Sequence, residues 1–376
     1  MRSIIDIAVF SARISPKTVW TFVRARDSEG REGWGEATLA GQAAAVEAHV
    51  ERLAHQRIGS PVITGTTTPD TESMAQAAAI SAVDQAMWDL HAQAQSKTLA
   101  EALGAPRRTT IELYANINRG TTDRSPHAFA LRALDAANRG FDAIKIAPFD
   151  DVTPEIAETA AGRHAIAAGV ERVAAVRAAI GPQRALLVDC HWRFTESAAR
   201  DVLRELEPLQ LYWFECPLPE MPTMLPALRR LRSQANAAGV QLAGCESMTG
   251  LAHFESFLDA GVYDVIMPDV KYAGGLAEML RIAEAAEVRG AVCSPHNPSG
   301  PIAHLHSVHV SAVLPTIPFL EFQYGESPLF FDIVDGVMPD PNGGRSALPS
   351  GPGLGVALDV AKLGELRANA ISGVVA

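Results

Sequence analysis

The chain has 376 residues, 48% of them hydrophobic, and a formal charge of −11 at pH 7. It is long for one domain, and its apolar share can fill a large core. The negative charge argues against nucleic acid and anionic membrane surfaces as partners, so an anionic substrate must be drawn in by local cations or a metal.

The start, MRSIIDIAVF, is too short an apolar run for a signal peptide and is broken by Asp6. No later run reaches the length of a membrane span, and a cytoplasmic protein is expected. Residues 3–10 and 18–26 read as strands separated by the polar stretch ARISPK. The turn DSEG then leads to a third strand, GWGEA, which gives an antiparallel meander. Two helices are expected over 42–55 and 72–95. The second places Ile80, Val83, Met87 and Leu90 at helical spacing, which reads as a packing face. Residues 1–110 thus form an α+β unit with no regular alternation of strand and helix.

From residue 111 the chain repeats one unit, a short apolar run ending in a polar residue and followed by a helical pattern. The runs are YANIN near Asn116, FDAIK at Lys145, ALLVD at Asp189, LYWFE at Glu215, QLAGCE at Glu246, VYDVIMPD at Asp269, GAVCSPH at His296 and TIPFLEF at Glu321. A spacing of about 25 residues holds one strand, one helix and two loops. Eight such units predict a (β/α)8 TIM-type barrel over 111–326, with its site at the C-terminal strand ends. Residues 148–164 exceed an ordinary loop and suggest a short extra helix. The tail, 327–376, is rich in Gly and Pro and becomes regular again at GVALDVAKLGEL.

One acidic strand end reads equally well as a helix cap or a loop ion pair. Three in successive units, Asp189, Glu215 and Glu246, are hard to leave unpaired. A divalent metal with oxygen ligands neutralises them, and three carboxylates suit Mg²⁺ better than Zn²⁺. Alternation along the strand puts Asp189 and His191 on one inward face with Cys190 turned away, and Lys145 with Ala147 on another. Cys190, Cys216 and Cys245, each beside a candidate ligand, read as small buried hydrophobes. Arg193, Lys271 and Asn118 are further inward candidates for contacts with a polyol or carboxylate. His304, His306 and His309 read as structural.

Lys145, Asp189, Glu215, Glu246, the Asp269/His296 pair, Glu321 and the tail GPGLGVALD together resemble the enolase superfamily, in particular the mandelate racemase branch of the mandelate racemase/muconate lactonizing enzyme family. The resemblance covers nearly the whole chain. It implies that the N-terminal unit caps the barrel, with ARISPK and residues 37–41 as a lid, and that the tail returns to complete the cap. A disordered surface loop is the alternative for ARISPK. It also implies Mg²⁺ on Asp189, Glu215 and Glu246, and His296 as a base oriented by Asp269. Lys145 and a protonated Glu321 would then stabilise an enediolate. The second lysine usual in the family is replaced by Ala147, so one base is missing.

DCHWRF resembles the DxHxR pattern of sugar-acid dehydratases, in which the histidine is the general acid. The alternative is that His191 only binds a hydroxyl or carboxylate. The reading is a Mg²⁺-dependent lyase that dehydrates a small-molecule carboxylate, with a homo-oligomer expected. A cycloisomerase is the alternative, a racemase or epimerase is disfavoured by Ala147, and a silent metal-carboxylate binding barrel is the non-enzymatic reading.

Overall fold

The computed structural model describes residues 2–65 and 71–372. The antiparallel meander is present as β1 (Ile4–Arg13), β2 (Val19–Asp27) and β3 (Glu32–Glu36), followed by α1 (Ala43–Arg57), α2 (Met74–Ala94) and α3 (Leu99–Leu103). β1 runs further than its sequence suggests, pairing Ala12 with Trp20 and Arg13 with Val19. The stretch ARISPK is therefore mostly strand and a tight turn, closed by the Ile14 N–H donating to the Thr18 carbonyl at 3.1 Å. The Thr18 hydroxyl donates to Glu326, which also meets Arg119 at 3.2 Å. This hairpin is anchored to the barrel side of the molecule, which rules out a loose surface loop.

Eight parallel strands come next: β4 (Thr110–Asn116), β5 (Ala143–Ile146), β6 (Ala185–Asp189), β7 (Trp213–Glu215), β8 (Gln241–Gly244), β9 (Val265–Ile266), β10 (Val292–Cys293) and β11 (Leu320–Gln323). Neighbours from β4 to β10 pair in chain order, and β11 comes back to pair with β4, so the sheet curls round on itself. Among the described residues β10 and β11 share no ladder. The Ser294 hydroxyl bridges them instead, donating to the Phe319 carbonyl at 2.6 Å. Tyr114, Leu187, Trp213, Ala243, Val265 and Met267 pack together as the inner filling. These strands are buried on both faces, which is why they read as unbroken apolar runs.

The connecting helices are α4 (Pro126–Asn138), α5 (Ala160–Ile180), α6 (Glu196–Leu206), α7 (Leu225–Ala237), α8 (Leu251–Ala260), α9 (Leu276–Val288) and α10 (Pro301–Val313). The extra helix expected within 148–164 does not form. The segment makes turns until Thr159 caps α5.

The tail supplies α11 (Leu329–Asp332), β12 (Val334–Gly336), β13 (Arg345–Ala347), β14 (Val356–Leu358) and α12 (Val360–Ser372). β13 pairs with β4, β12 with β14, and α12 packs on β1. Between them, Gly353 exchanges backbone bonds with Lys97 and Leu99.

α10 is buried from Pro301 to Ala312 and carries three neutral histidines between the N-terminal unit, the barrel and the tail. His306 Nε2 donates to the Trp34 carbonyl (2.8 Å), His309 links Ala100 N to the Leu354 carbonyl, and His304 Nδ1 accepts from Asn297. Burial pushes these imidazoles from 6.5 down to about 3 for His304, about 3 for His306 and about 4 for His309. At these sites the unfolded chain therefore binds more protons than the folded one below pH 6.5, and their contribution to stability falls as pH falls through that window. Buried carboxyls act in the opposite direction, among them Asp84 and Asp89, raised to about 6, Glu215, raised to about 7, and Glu36, Glu220 and Glu246. We expect the histidines' share of the stability to be lost between about pH 6 and pH 4. His306→Gln should change the slope of melting temperature against pH in that window, and an unchanged slope in this variant would contradict it.

Candidate active site

The proposed ligands end consecutive strands. Asp189 closes β6, Glu215 closes β7, and Glu246 comes two residues after β8. The chain turns sharply just after each of the first two and just before the third, with positive φ at His191 (45°), Trp192 (57°), Cys216 (44°) and Cys245 (70°). The three carboxylates converge, one oxygen of each lying within 4.8 Å of the others, and all are buried.

Their nearest cation is also buried. Lys145 Nζ donates to Glu215 Oε1 at 2.8 Å and lies 3.0 Å from Glu321 Oε1. Burial alone would lower its pKa, but the charges of Glu215 and Glu321 outweigh it and hold the ammonium well above its ordinary value. Glu215 is completed by Trp213 Nε1, which donates to Oε2 at 2.9 Å.

Glu246 has no such help, and its buried Oε2 has no hydrogen-bond partner among the described residues. Burial first, then the charges on Asp189 and Glu215, push its carboxyl well above the usual range. An orphaned carboxylate oxygen within reach of two other carboxylates fits a hard divalent cation with oxygen ligands. Cys190, Cys216 and Cys245 are buried free thiols, and burial holds each well above its ordinary value, so they offer no thiolate.

Facing this cluster is an Asp–His pair. His296 Nδ1 lies 2.8 Å from Asp269 Oδ2, while Nε2 lies 3.6 Å from Glu246 Oε2. With Nδ1 held by Asp269, the free nitrogen is turned toward the carboxylates. Burial lowers the pKa of His296 more than Asp269 raises it, which keeps the imidazole neutral and able to accept a proton. The Tyr272 hydroxyl stands 3.2 Å from the same Nδ1.

Several side chains read from the sequence are placed differently from expectation. Glu321, expected as a protonated donor, is itself surrounded by donors. Its oxygens accept from Asn116 Nδ2 (2.6 Å) and Asn297 N (2.8 Å) and pair with Lys145. Burial would raise its carboxyl, but Lys145 and these donors hold it ionised at about 2. Arg193 is engaged with the backbone, where Nη1 donates to the carbonyls of Asp150 and Val152 and pins the loop after β5. Asn118 is committed to Asn116 and to the Ala147 N–H. Lys271 is buried against Asp269 Oδ2 (3.0 Å) and the Ser299 hydroxyl.

His191 lies beyond the end of β6, so strand alternation does not apply to it. Its exposed ring nevertheless reaches the cluster, with Nε2 2.9 Å from Asp189 Oδ2, and Asp189 raises its pKa. Sequence reasoning missed Asn116, Trp213, Tyr272 and Asn297. Asn116 carried a signal, as a polar residue closing an apolar strand.

Models of two protein families match the chain: the mandelate racemase/muconate lactonizing enzyme N-terminal domain over residues 6–104, and the enolase C-terminal domain-like model over residues 128–362. The chain belongs to the mandelate racemase/muconate lactonizing enzyme family of the enolase superfamily. Among its relatives is D-galactonate dehydratase of Xanthomonas axonopodis pv. citri (strain 306), 31% identical over 90% of this chain and 89% of that protein. D-gluconate dehydratase of Thermoproteus tenax is 33% identical over 79% of this chain, which spans only 58% of that longer protein.

Two family structures share the fold. The mandelate racemase/muconate lactonizing enzyme-like protein from Roseovarius sp. TM1035 has a TM-score of 0.81 at 25% identity, covering 96% of this chain and 94% of that one. The mandelate racemase/muconate lactonizing enzyme from Jannaschia sp. CCS1 has a TM-score of 0.83 at 24% identity, covering 96% and 97%.

If the carboxylate cluster is a cation site, Glu246→Gln removes a ligand and a buried like charge together. Its melting temperature in EDTA should equal or exceed that of the unaltered protein, yet no longer rise with MgCl₂. An unaltered protein whose melting temperature ignores Mg²⁺ and Mn²⁺ would contradict the assignment.

Proposed function

We propose that this chain is a Mg²⁺-dependent dehydratase of sugar acids, and the observation that carries the proposal is the His296–Asp269 pair aimed at Glu246. The names of the relatives support the substrate class. Asp189, Glu215 and Glu246 would hold the ion. Bound there, Mg²⁺ supplies fixed positive charge against the negative charge that grows on the substrate carboxylate.

The residues then divide the work. His296 Nε2 takes the proton from the carbon next to the carboxylate, and the C–H electron pair passes into an enediolate. Asp269 holds the ring by Nδ1 and stabilises the imidazolium. Lys145, kept protonated by Glu215 and Glu321, faces the same developing charge. The bond to the β-hydroxyl then breaks, and His191 protonates the departing oxygen so that water leaves rather than hydroxide. The product is an enol that becomes a 2-oxo acid. Ala147 is buried beyond β5 and offers no base, so the reaction is one-sided.

The test uses D-galactonate and D-gluconate with Mg²⁺ in D₂O. His296→Asn should abolish both α-proton exchange and loss of water. His191→Asn should slow water loss by at least about 10²-fold, within the range of general acids, while exchange continues. Exchange should occur without inversion at the α-carbon. A His191 variant that loses exchange and elimination together, with unchanged substrate binding, would show that the two roles are wrongly divided.

A further inference from the structure

The helices after β9 and β10 begin without caps of their own. The residues at their N-cap positions, Gly275 and Gly300, provide no side-chain oxygen. The N-terminal unit provides it instead. Asp84 of α2 accepts from the Leu276 N–H at 2.9 Å, and Glu36 of β3 accepts from the N–H groups of Gly300 (2.8 Å) and Ala303 (2.9 Å). A Cβ at Gly300 would sit 2.9 Å from both Glu36 oxygens, so glycine there makes room for the carboxylate.

Gln85 of α2 joins this contact to the other loop. Its Oε1 accepts from the Glu36 N–H at 2.9 Å, and its Nε2 donates to the carbonyls of Glu36 (3.2 Å) and Val270 (2.9 Å). Val270 is the residue after Asp269 in the chain, and Gly300 lies four residues after His296. Glu36 and Gln85 are fully buried and grip the two loops at once.

We infer that Glu36 and Gln85 are positioning residues for the base. From the N-terminal unit they fix the loops after β9 and β10 against each other, and so set the contact between Asp269 and His296. Neither touches the carboxylate cluster through a hydrogen bond, so they act through the dyad alone. The inference rests on the reading of His296 as the base.

The test compares Glu36→Gln and Gln85→Met with Asp89→Asn. Asp89 is an equally buried carboxylate of α2, but it accepts from Trp34 N and Leu354 N and touches neither loop. Glu36→Gln keeps the shape and turns an N–H₂ group toward donors of the carboxylate, which are the N–H groups of Gly300 and Ala303 and the Thr38 hydroxyl. Gln85→Met keeps the volume, removes every bond, and serves if the first variant does not fold. With D-galactonate or D-gluconate and Mg²⁺, both should lose roughly 10- to 100-fold in kcat and in α-proton exchange, the scale of a displaced catalytic group. Their KM and their dissociation constant for Mg²⁺ should stay near those of the unaltered enzyme. Asp89→Asn should lower the melting temperature and leave kcat unchanged.

The inference is overturned if Gln85→Met keeps the unaltered kcat, or if KM and Mg²⁺ affinity worsen in step with kcat. His296→Asn assayed alongside separates the two ideas. If it still exchanges the α-proton, the base itself is wrongly assigned. If it does not, while the Gln85 variant exchanges normally, only the clamp fails.

Discussion

Three buried carboxylates within 4.8 Å of one another set the terms for the whole barrel mouth. At that separation each pair of like charges repels by about 3 to 4 kcal/mol in a partly screened protein environment. Lys145 relieves one of them, Glu215, and gives its remaining contact to Glu321. At Glu246 burial and the repulsion of Asp189 and Glu215 outweigh the pull of Lys145. Proteins avoid uncompensated buried charge unless it has a use, and a cation is the one partner that serves all three carboxylates at once. The same shortage accounts for the neighbouring chemistry. Glu321 is surrounded by donors rather than further carboxylates, and His296, neutral by burial, adds no second positive charge to compete with a metal.

Most of the barrel could be read in the chain because its physics is local. A parallel strand covered on both faces is an apolar run, and a polar residue at its end marks the mouth, so ALLVD and LYWFE declare both the element and the side chain it presents. Asp269 and His296 were legible as strand ends for the same reason, and their pairing was implied by the resemblance to the family. What was not legible depends on partners distant in sequence. Arg193 looked free until its fork was found on the carbonyls of Asp150 and Val152, and Asn118 until its amide was found bridging β4 to β5. Nothing in DCHWRF tells which polar groups lie within reach. The state of Glu321 was hidden likewise, since its donors come from the ends of β4 and β10.

The N-terminal unit illustrates the other limit. Its strands and helices were readable from alternation and helical spacing, but the tight hairpin at 14–18 was not. Proline and lysine in ARISPK suggest a loop, whereas pairing with β2 carries the strand on to Arg13. Tertiary pairing outweighed local composition there, as it commonly does for strands. At 148–164 the expected helix gave way to turns, although a proline at position 154 is compatible with a first helical turn.

The sharp turns beside the ligands show how the backbone serves the same cluster. A residue with a side chain costs roughly 1 to 2 kcal/mol in the left-handed region, and glycine would remove that strain. Yet Cys216 and Cys245 occupy these positions, and His191 and Trp192 do so after Asp189. They persist because neighbouring strand ends lock them: Trp192 N donates to the Cys216 carbonyl at 2.6 Å, Cys216 N to the Ala243 carbonyl at 3.0 Å, and Cys245 N to Glu220 Oε1 at 2.6 Å. The turns after β6 and β7 are thus each held by the next unit round the barrel, so neither can relax without disturbing the following carboxylate. Glycine would lower the strain but widen the choices of the chain just where three like charges push apart. A small buried thiol sits beside each carboxylate instead. On this argument the cysteines matter through shape, and their neighbours carry the charge.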